Sequence, residues 1–144
     1  MRLASSLAWT GLVLFLGSVY FGADHTGVLL QPLFRALAPL VGVSPHTLHA
    51  LVRKAAHVTE YAVLAGLWFY ALSERRSAMR ASWIALLICL ACAVADETHQ
   101  AMVPNRTPSA RDVVIDGTGA LMALSVVRRR RERLEARALP YAAA

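Results

Sequence analysis

Residues 81–100 read ASWIALLICLACAVADETHQ, an apolar block that ends abruptly in a run of polar residues. No charged residue interrupts positions 81–95, and the apolar positions are continuous. An amphipathic helix of a soluble protein would instead carry polar residues along one face, every three or four positions. A continuous apolar run with polar residues collected at its end is the pattern that a bilayer selects. The block therefore predicts a transmembrane helix whose polar end lies near one membrane surface.

The composition of the whole chain favours the same interpretation. Its 144 residues suffice for one domain, and we treat residues 1–144 as a single membrane domain. Hydrophobic residues make up 57% of the chain and charged residues 17%, whereas about a quarter of a soluble domain is charged. Cys89 and Cys92 have C-x-x-C spacing but only apolar neighbours. We therefore interpret them as packing residues and not as a redox pair.

Three further apolar blocks are candidates for membrane spans. They cover residues 3–23, about 53–72 and 113–127, and about 20 apolar residues cross a bilayer. Between the first two, residues 24–49 are broken by Pro32, Pro39 and Pro45, which indicates a loop with a short interfacial or re-entrant helix. The sequence thus predicts an all-α integral membrane bundle of about four transmembrane helices. A basic tail over residues 128–144 follows, and we expect it to be partly disordered.

The basic residues predict the orientation of this bundle. With four spans, ten of the fifteen basic residues lie on the side of the two termini and five on the other side. The positive-inside rule then places both termini in the cytoplasm. Six of the basic residues lie between Arg128 and Arg137, directly after an apolar segment. We therefore expect the tail to contact anionic membrane lipids and not nucleic acid.

Polar residues of three spans meet at the outer end in this topology. Those that share a helix face, span by span, are Arg53, His57 and Glu60; Asp96, His99 and Gln100; and Asp112 and Asp116. Charged groups are costly to expose to lipid, so each helix should turn its group inward. We therefore predict one polar pocket inside the bundle, with Arg106 or Arg111 folded over the carboxylates.

Several segments match the motifs of a known family. Residues 54–61, KAAHVTEY, resemble the K-x-x-H-x-x-E-Y signature of VanZ-like proteins, and residues 96–100, DETHQ, resemble its D-E-x-H-Q segment. PNR at 104–106 and RDVVIDGTG at 111–119 resemble two further segments. The resemblance covers about residues 50–127. It implies a small multi-pass protein of the bacterial cytoplasmic (inner) membrane that acts in the cell envelope, in a family whose named member is associated with resistance to the glycopeptide teicoplanin.

Motifs and chemistry together give a set of candidate site residues. Histidine titrates near neutrality and can act as a general base, and arginine can clamp a phosphate. The catalytic candidates are His57, Glu60, Asp96, Glu97, His99 and Asp116. The substrate-binding candidates are Lys54, Tyr61, Gln100, Arg106, Arg111 and Asp112. The expected partners are membrane lipids and a lipid-linked cell-wall precursor, with no cofactor and no resident metal.

Three interpretations of the polar cluster stay open on the sequence. The cluster could be a buried ion-pair network that only stabilises the bundle. It could bind or modify a lipid-linked envelope molecule, whose headgroup would lie at this depth. It could also hold a divalent metal between the carboxylates and His57 or His99, although no H-E-x-x-H pattern is present. The sequence also leaves open whether the chain is an enzyme or a non-enzymatic protein that acts through partners.

Overall fold

The computed structural model describes residues 1–16, 23–102 and 109–142, and all regular structure in these ranges is helical. The helices are α1 (Arg2–Leu16), α2 (Ala23–Leu37), α3 (Pro45–Leu72), α4 (Ala78–Ala101) and α5 (Ala110–Ala142), with a 3-10 turn at Ala38–Val41. The all-α prediction is confirmed. A short helix, α2, lies in the segment where we expected one.

Helix α3 begins earlier than the sequence analysis predicted. We placed Pro45 in the loop and began the second span at about Arg53, but the helix starts at Pro45. Ser44 caps it, because its hydroxyl accepts a hydrogen bond from the Thr47 amide at 3.1 Å. Proline is well suited to the first helical position, where its missing N–H leaves no bond unmade. The third proline of the segment therefore starts a helix where we expected it to interrupt one.

Helix α3 lies at the centre of the packing and contacts α1, α2, α4 and α5. The interior side of α4 consists largely of small residues such as Ala81, Ala85 and Ala93, which are fully buried. Its large residues point outward, with Trp83 59% and Leu87 64% exposed. Small residues inside and large apolar residues outside are typical of helices that pack closely within a bilayer.

The contacts at one end of the bundle gather most of the basic residues. Arg2 Nε lies 3.2 Å from Glu74 Oε1 in the α3–α4 turn. Arg131 donates to the carbonyl of Ser73 in the same turn, and Arg128 donates to Met79 Sδ at 3.3 Å. The start of α1, the α3–α4 turn and α5 from Arg128 onward therefore lie together. We call this the basic end.

The opposite end, which we call the polar end, comprises the first half of α3, the last turns of α4 and the start of α5. Since α1 begins at the basic end and α5 finishes there, the N-terminus and the basic segment lie on the same side of the bundle. The predicted four-span topology requires this arrangement.

Length and composition single out one of the described helices as able to cross a membrane, namely α4. Helix α1 has only 15 described residues, and positions 17–22 of the predicted first span lie outside the described residues. The helical segments of α3 and α5 that correspond to predicted spans carry the charged residues of the polar end. Length and composition thus support one membrane span among the described helices, and the bundle of four spans is a proposal.

Helix α5 continues through the basic segment to Ala142. The expectation of a partly disordered tail is wrong for residues up to that point. Arginine, leucine, alanine and glutamate are all good helix formers, and two ion pairs of i,i+4 spacing support them. Arg128 Nε lies 3.6 Å from Glu132 Oε1, and Arg131 Nε lies 2.7 Å from Glu135 Oε1.

Candidate functional site

The central contact of the polar end joins α3 to α5. His57 Nδ1 and Asp116 Oδ1 lie 3.2 Å apart, at ion-pair distance, although neither atom takes part in a hydrogen bond within the described part of the chain. Asp116 is 2% exposed. The two residues come from different signature segments, so the prediction that these segments meet is confirmed for this pair.

Gly119 sets the separation of the two helices at this point. A Cβ atom added to Gly119 would lie 3.0 Å from Val58 Cα and nearer still to the Val58 carbonyl oxygen. The backbones of α3 and α5 are therefore in direct contact. Val58 follows His57, and Gly119 lies one turn after Asp116, so the glycine brings the two partners of the ion pair within reach.

A cavity of about 220 Å³ opens beside this pair, between α1, α2, α3 and α4. The charged part of its lining comes from α3 and α4 and consists of Arg53, His57, Glu60 and Asp96. The apolar part comes mainly from α1 and α2 and consists of Val13, Leu16, Leu30 and Phe34, together with Val52 of α3. We call it the amphipathic cavity. It brings predicted residues from α3 and α4 together, with apolar walls that we had not predicted.

Tyr61 also lines the amphipathic cavity. Its side chain is 1% exposed, and its hydroxyl has no hydrogen-bond partner among the described residues. A buried hydroxyl without a partner loses its hydration and gains no compensating bond. The Tyr61 hydroxyl is therefore an unsatisfied polar group beside the cavity.

A second, smaller cavity of about 90 Å³ lies on the other side of His57, between α3 and α5. Its polar lining consists of Arg53, Lys54, His57, Asp112 and Asp116. His57 and Arg53 line both cavities. Because Asp116 contacts Nδ1 of the imidazole, Nε2 is the ring nitrogen left for a ligand.

Two further candidates make local contacts at the end of α4. Gln100 Nε2 donates to Asp96 Oδ2 at 2.8 Å, which holds that carboxylate in place. Glu97 Oε2 accepts a hydrogen bond from the Ser109 amide at 2.6 Å, so Glu97 fastens the start of α5 to α4. Both contacts stabilise the polar end, and the catalytic role assigned to Glu97 stays a prediction.

The remaining candidates lie away from the two cavities or outside the described ranges. His99 and Arg111 are exposed and line neither cavity. Arg106 falls outside the described residues. The predicted arginine over the carboxylates is thus not seen at Arg111. Within residues 1–16, 23–102 and 109–142, no group of three or more His, Cys, Asp or Glu side chains is placed to hold a metal ion.

The sequence analysis assigned no binding role to Arg53 and His49. Arg53 lines both cavities, and His49 lines the amphipathic cavity, where its ring lies 5.1 Å from the Phe34 ring. Positions 49, 53, 57 and 60 share one face of a helix. The sequence already placed Arg53 on this face without a binding role, and the spacing would have added His49 if the start of α3 at Pro45 had been recognised.

Comparison with known protein families gives one match. The model of the VanZ/LLP1 family matches residues 3–131 of the chain. That range includes α1, the whole polar end and the start of the basic segment. No curated protein and no solved structure matches the chain.

Proposed function

Since the chain belongs to the VanZ/LLP1 family and is a cell-envelope protein of the VanZ type, we propose that it is a four-span protein of the bacterial inner membrane. We propose further that its amphipathic cavity binds a lipid-linked cell-wall intermediate at the outer leaflet. Through that binding it would contribute to resistance against teicoplanin.

Burial supports the membrane part of the proposal. The large exposed hydrophobic residues are spread over all five helices, for example Leu7, Leu33, Leu87 and Leu121. A soluble monomer rarely exposes apolar surface so continuously. Both termini lie at the basic end, and the excess of basic residues there favours a cytoplasmic location by the positive-inside rule. The polar end would then face the outer leaflet.

The observation that carries the binding proposal is the two-sided lining of the amphipathic cavity. Charged groups inside a bilayer are expensive unless they pair or line a wet cavity. The cavity opposes these charges to apolar side chains, which suits a ligand with a polar head and a hydrocarbon chain. A lipid-linked precursor has both parts, and its head lies at the depth of the polar end.

The polar side of the cavity offers chemistry as well as binding. Asp116 orients the His57 ring, so that Nε2 could accept a proton from a bound hydroxyl group. Arg53 lines both cavities together with His57 and could pair with a phosphate. Tyr61 and Glu60 would hydrogen-bond the head of the ligand. These roles depend on the geometry of α3, because it supplies every one of these side chains except Asp116, which comes from α5.

A pair of variants of neighbouring alanines tests the binding proposal. Both alanines are exposed, but Ala56 lines the amphipathic cavity and Ala55 lines neither cavity. Ala56→Trp should fill the cavity, and Ala55→Trp should leave it open. Native mass spectrometry of the purified protein would identify the bound lipids. We expect wild type and Ala55→Trp to retain a lipid-linked precursor and Ala56→Trp to lose it; equal retention by both variants would refute the proposal.

The internal pairing of the polar end favours a second candidate function. His57–Asp116, Gln100–Asp96 and Ser109–Glu97 all satisfy charged groups within the protein. The cluster could therefore be structural, in a non-enzymatic protein that acts through partners. A substitution at Glu60 distinguishes the lipid-binding function from the structural one, because the Glu60 side chain makes no hydrogen bond or ion pair within the described ranges. If Glu60→Gln keeps full abundance but loses the bound lipid or the resistance phenotype, the structural candidate is excluded.

A further inference from the structure

The basic segment of α5 separates its arginines into two faces. At about 100° per residue, Arg129, Arg130, Arg133 and Arg137 fall within about 100° of arc. We call these four residues the arginine stripe. Arg128 and Arg131 lie on the opposite face of the helix. A basic run selected only for its total charge would not need this division.

The two faces differ in what they contact. Arg128 and Arg131 contact the α3–α4 region through Met79 and the Ser73 carbonyl, and each pairs with a glutamate one turn later. The face toward the bundle is therefore neutral, with two arginines and two glutamates. In the described part of the chain no stripe arginine pairs with a carboxylate. The stripe thus presents four uncompensated positive charges outward.

The position of the stripe indicates its partner. The exposed Val126 lies on the same face, just before the stripe, and is 66% exposed. Met122, one turn earlier on the same face, is also exposed, at 61%. Arg129 to Arg133 follow within about 10 Å along the helix at 1.5 Å per residue. The polar headgroup layer of a bilayer begins where the hydrocarbon ends and is several ångströms deep.

We propose that the arginine stripe is a binding surface for anionic phospholipids of the leaflet at the basic end. The guanidinium groups would hydrogen-bond lipid phosphates, which they match in geometry. Arg128 and Arg131 are not part of this surface, because they hold α5 to the α3–α4 turn. This site is independent of the amphipathic cavity, which lies at the other end of the bundle.

Two double variants of equal charge test this proposal in the full-length protein. Arg129→Gln with Arg133→Gln removes two stripe charges, and Arg128→Gln with Arg131→Gln removes two charges from the opposite face. Each protein is reconstituted into phosphatidylcholine bilayers that contain spin-labelled phosphatidylglycerol or spin-labelled phosphatidylcholine. The fraction of label that is immobilised at the protein surface is measured by electron paramagnetic resonance.

We expect wild type to prefer phosphatidylglycerol by at least about fivefold, the effect of one basic residue near an anionic surface. The stripe variant should lose most of this preference, and the opposite-face variant should keep it. The preference should also fall in 1 M salt, where the Debye length is about 3 Å. If the wild-type protein shows no preference for phosphatidylglycerol, the proposal is wrong whatever the variants show. Equal losses in the two variants would show that net charge acts without the stripe.

Discussion

The charged groups of the polar end and of the basic end are arranged in opposite ways. At the polar end, buried carboxylates have polar partners inside the bundle: Asp116 lies 3.2 Å from His57, Asp96 accepts from Gln100 and Glu97 accepts from the Ser109 amide. At the basic end, Glu132 and Glu135 neutralise only the arginines that face the bundle, and four others point outward. Burial explains the difference. A charge inside the bundle is costly unless it is paired, whereas a charge beyond the apolar surface keeps its hydration.

The comparison predicts that the loss of a single partner has the largest effect at the polar end. His57→Ala leaves Asp116 buried without its partner, and such a change destabilises by about 3–5 kcal/mol. We expect a loss of this size in the free energy of unfolding, measured by denaturant titration in detergent micelles.

Removing the charge on both sides of the pair provides the control. In the His57→Ala, Asp116→Ala double variant no buried carboxylate remains at position 116, so part of the stability should return. A double variant that is as unstable as the sum of the two single variants would mean that the pair contributes no coupling, and the burial argument for the polar end would fail.

A smaller effect is expected from the close approach that permits this pair. Gly119→Ala places a Cβ against the backbone of Val58, and overpacking of this kind costs about 1–3 kcal/mol. The expected result is a lower thermal unfolding midpoint in detergent.

Gly66 on α3 is the matched control, because a Cβ there would meet nothing within 4 Å. Replacing glycine by alanine inside a helix is favourable by about 1 kcal/mol when the space is open. Gly66→Ala should therefore raise the unfolding midpoint or leave it unchanged. A decrease that matches that of Gly119→Ala would contradict the assigned role of the α3–α5 contact.

The smallest effect belongs to the basic end. The Arg131–Glu135 pair has side chains that are 29% and 56% exposed, and exposed pairs contribute about 0.2–1 kcal/mol. Glu135→Gln should change the free energy of unfolding by no more than this amount. The change should shrink as salt screens the pair. A loss as large as that of His57→Ala would remove the contrast between the two ends.

The signature segments made the convergence of the polar end predictable. Helical spacing and the cost of exposing charge to lipid together predicted that the segments of α3 and α5 would meet, and His57 contacts Asp116. The same reasoning placed Arg53 on the polar face of α3 without a binding role, and it did not identify His49 as a cavity residue because it began the helix too late. Proline was interpreted as a break, although Ser44 and Pro45 form a helix start.

By itself, the sequence determined the helical class, the family resemblance and which residues would gather at one end. These properties follow from local spacing and from the cost of burying charge, which need no knowledge of neighbouring helices. Only the tertiary structure decided which side of each helix faces a cavity. It supplied the apolar wall from α1 and α2, and it decided which face of the basic segment of α5 turns toward the bundle. Both depend on contacts between residues distant in sequence, such as Arg131 with Ser73, and the order of residues along the chain does not encode such contacts in any local pattern.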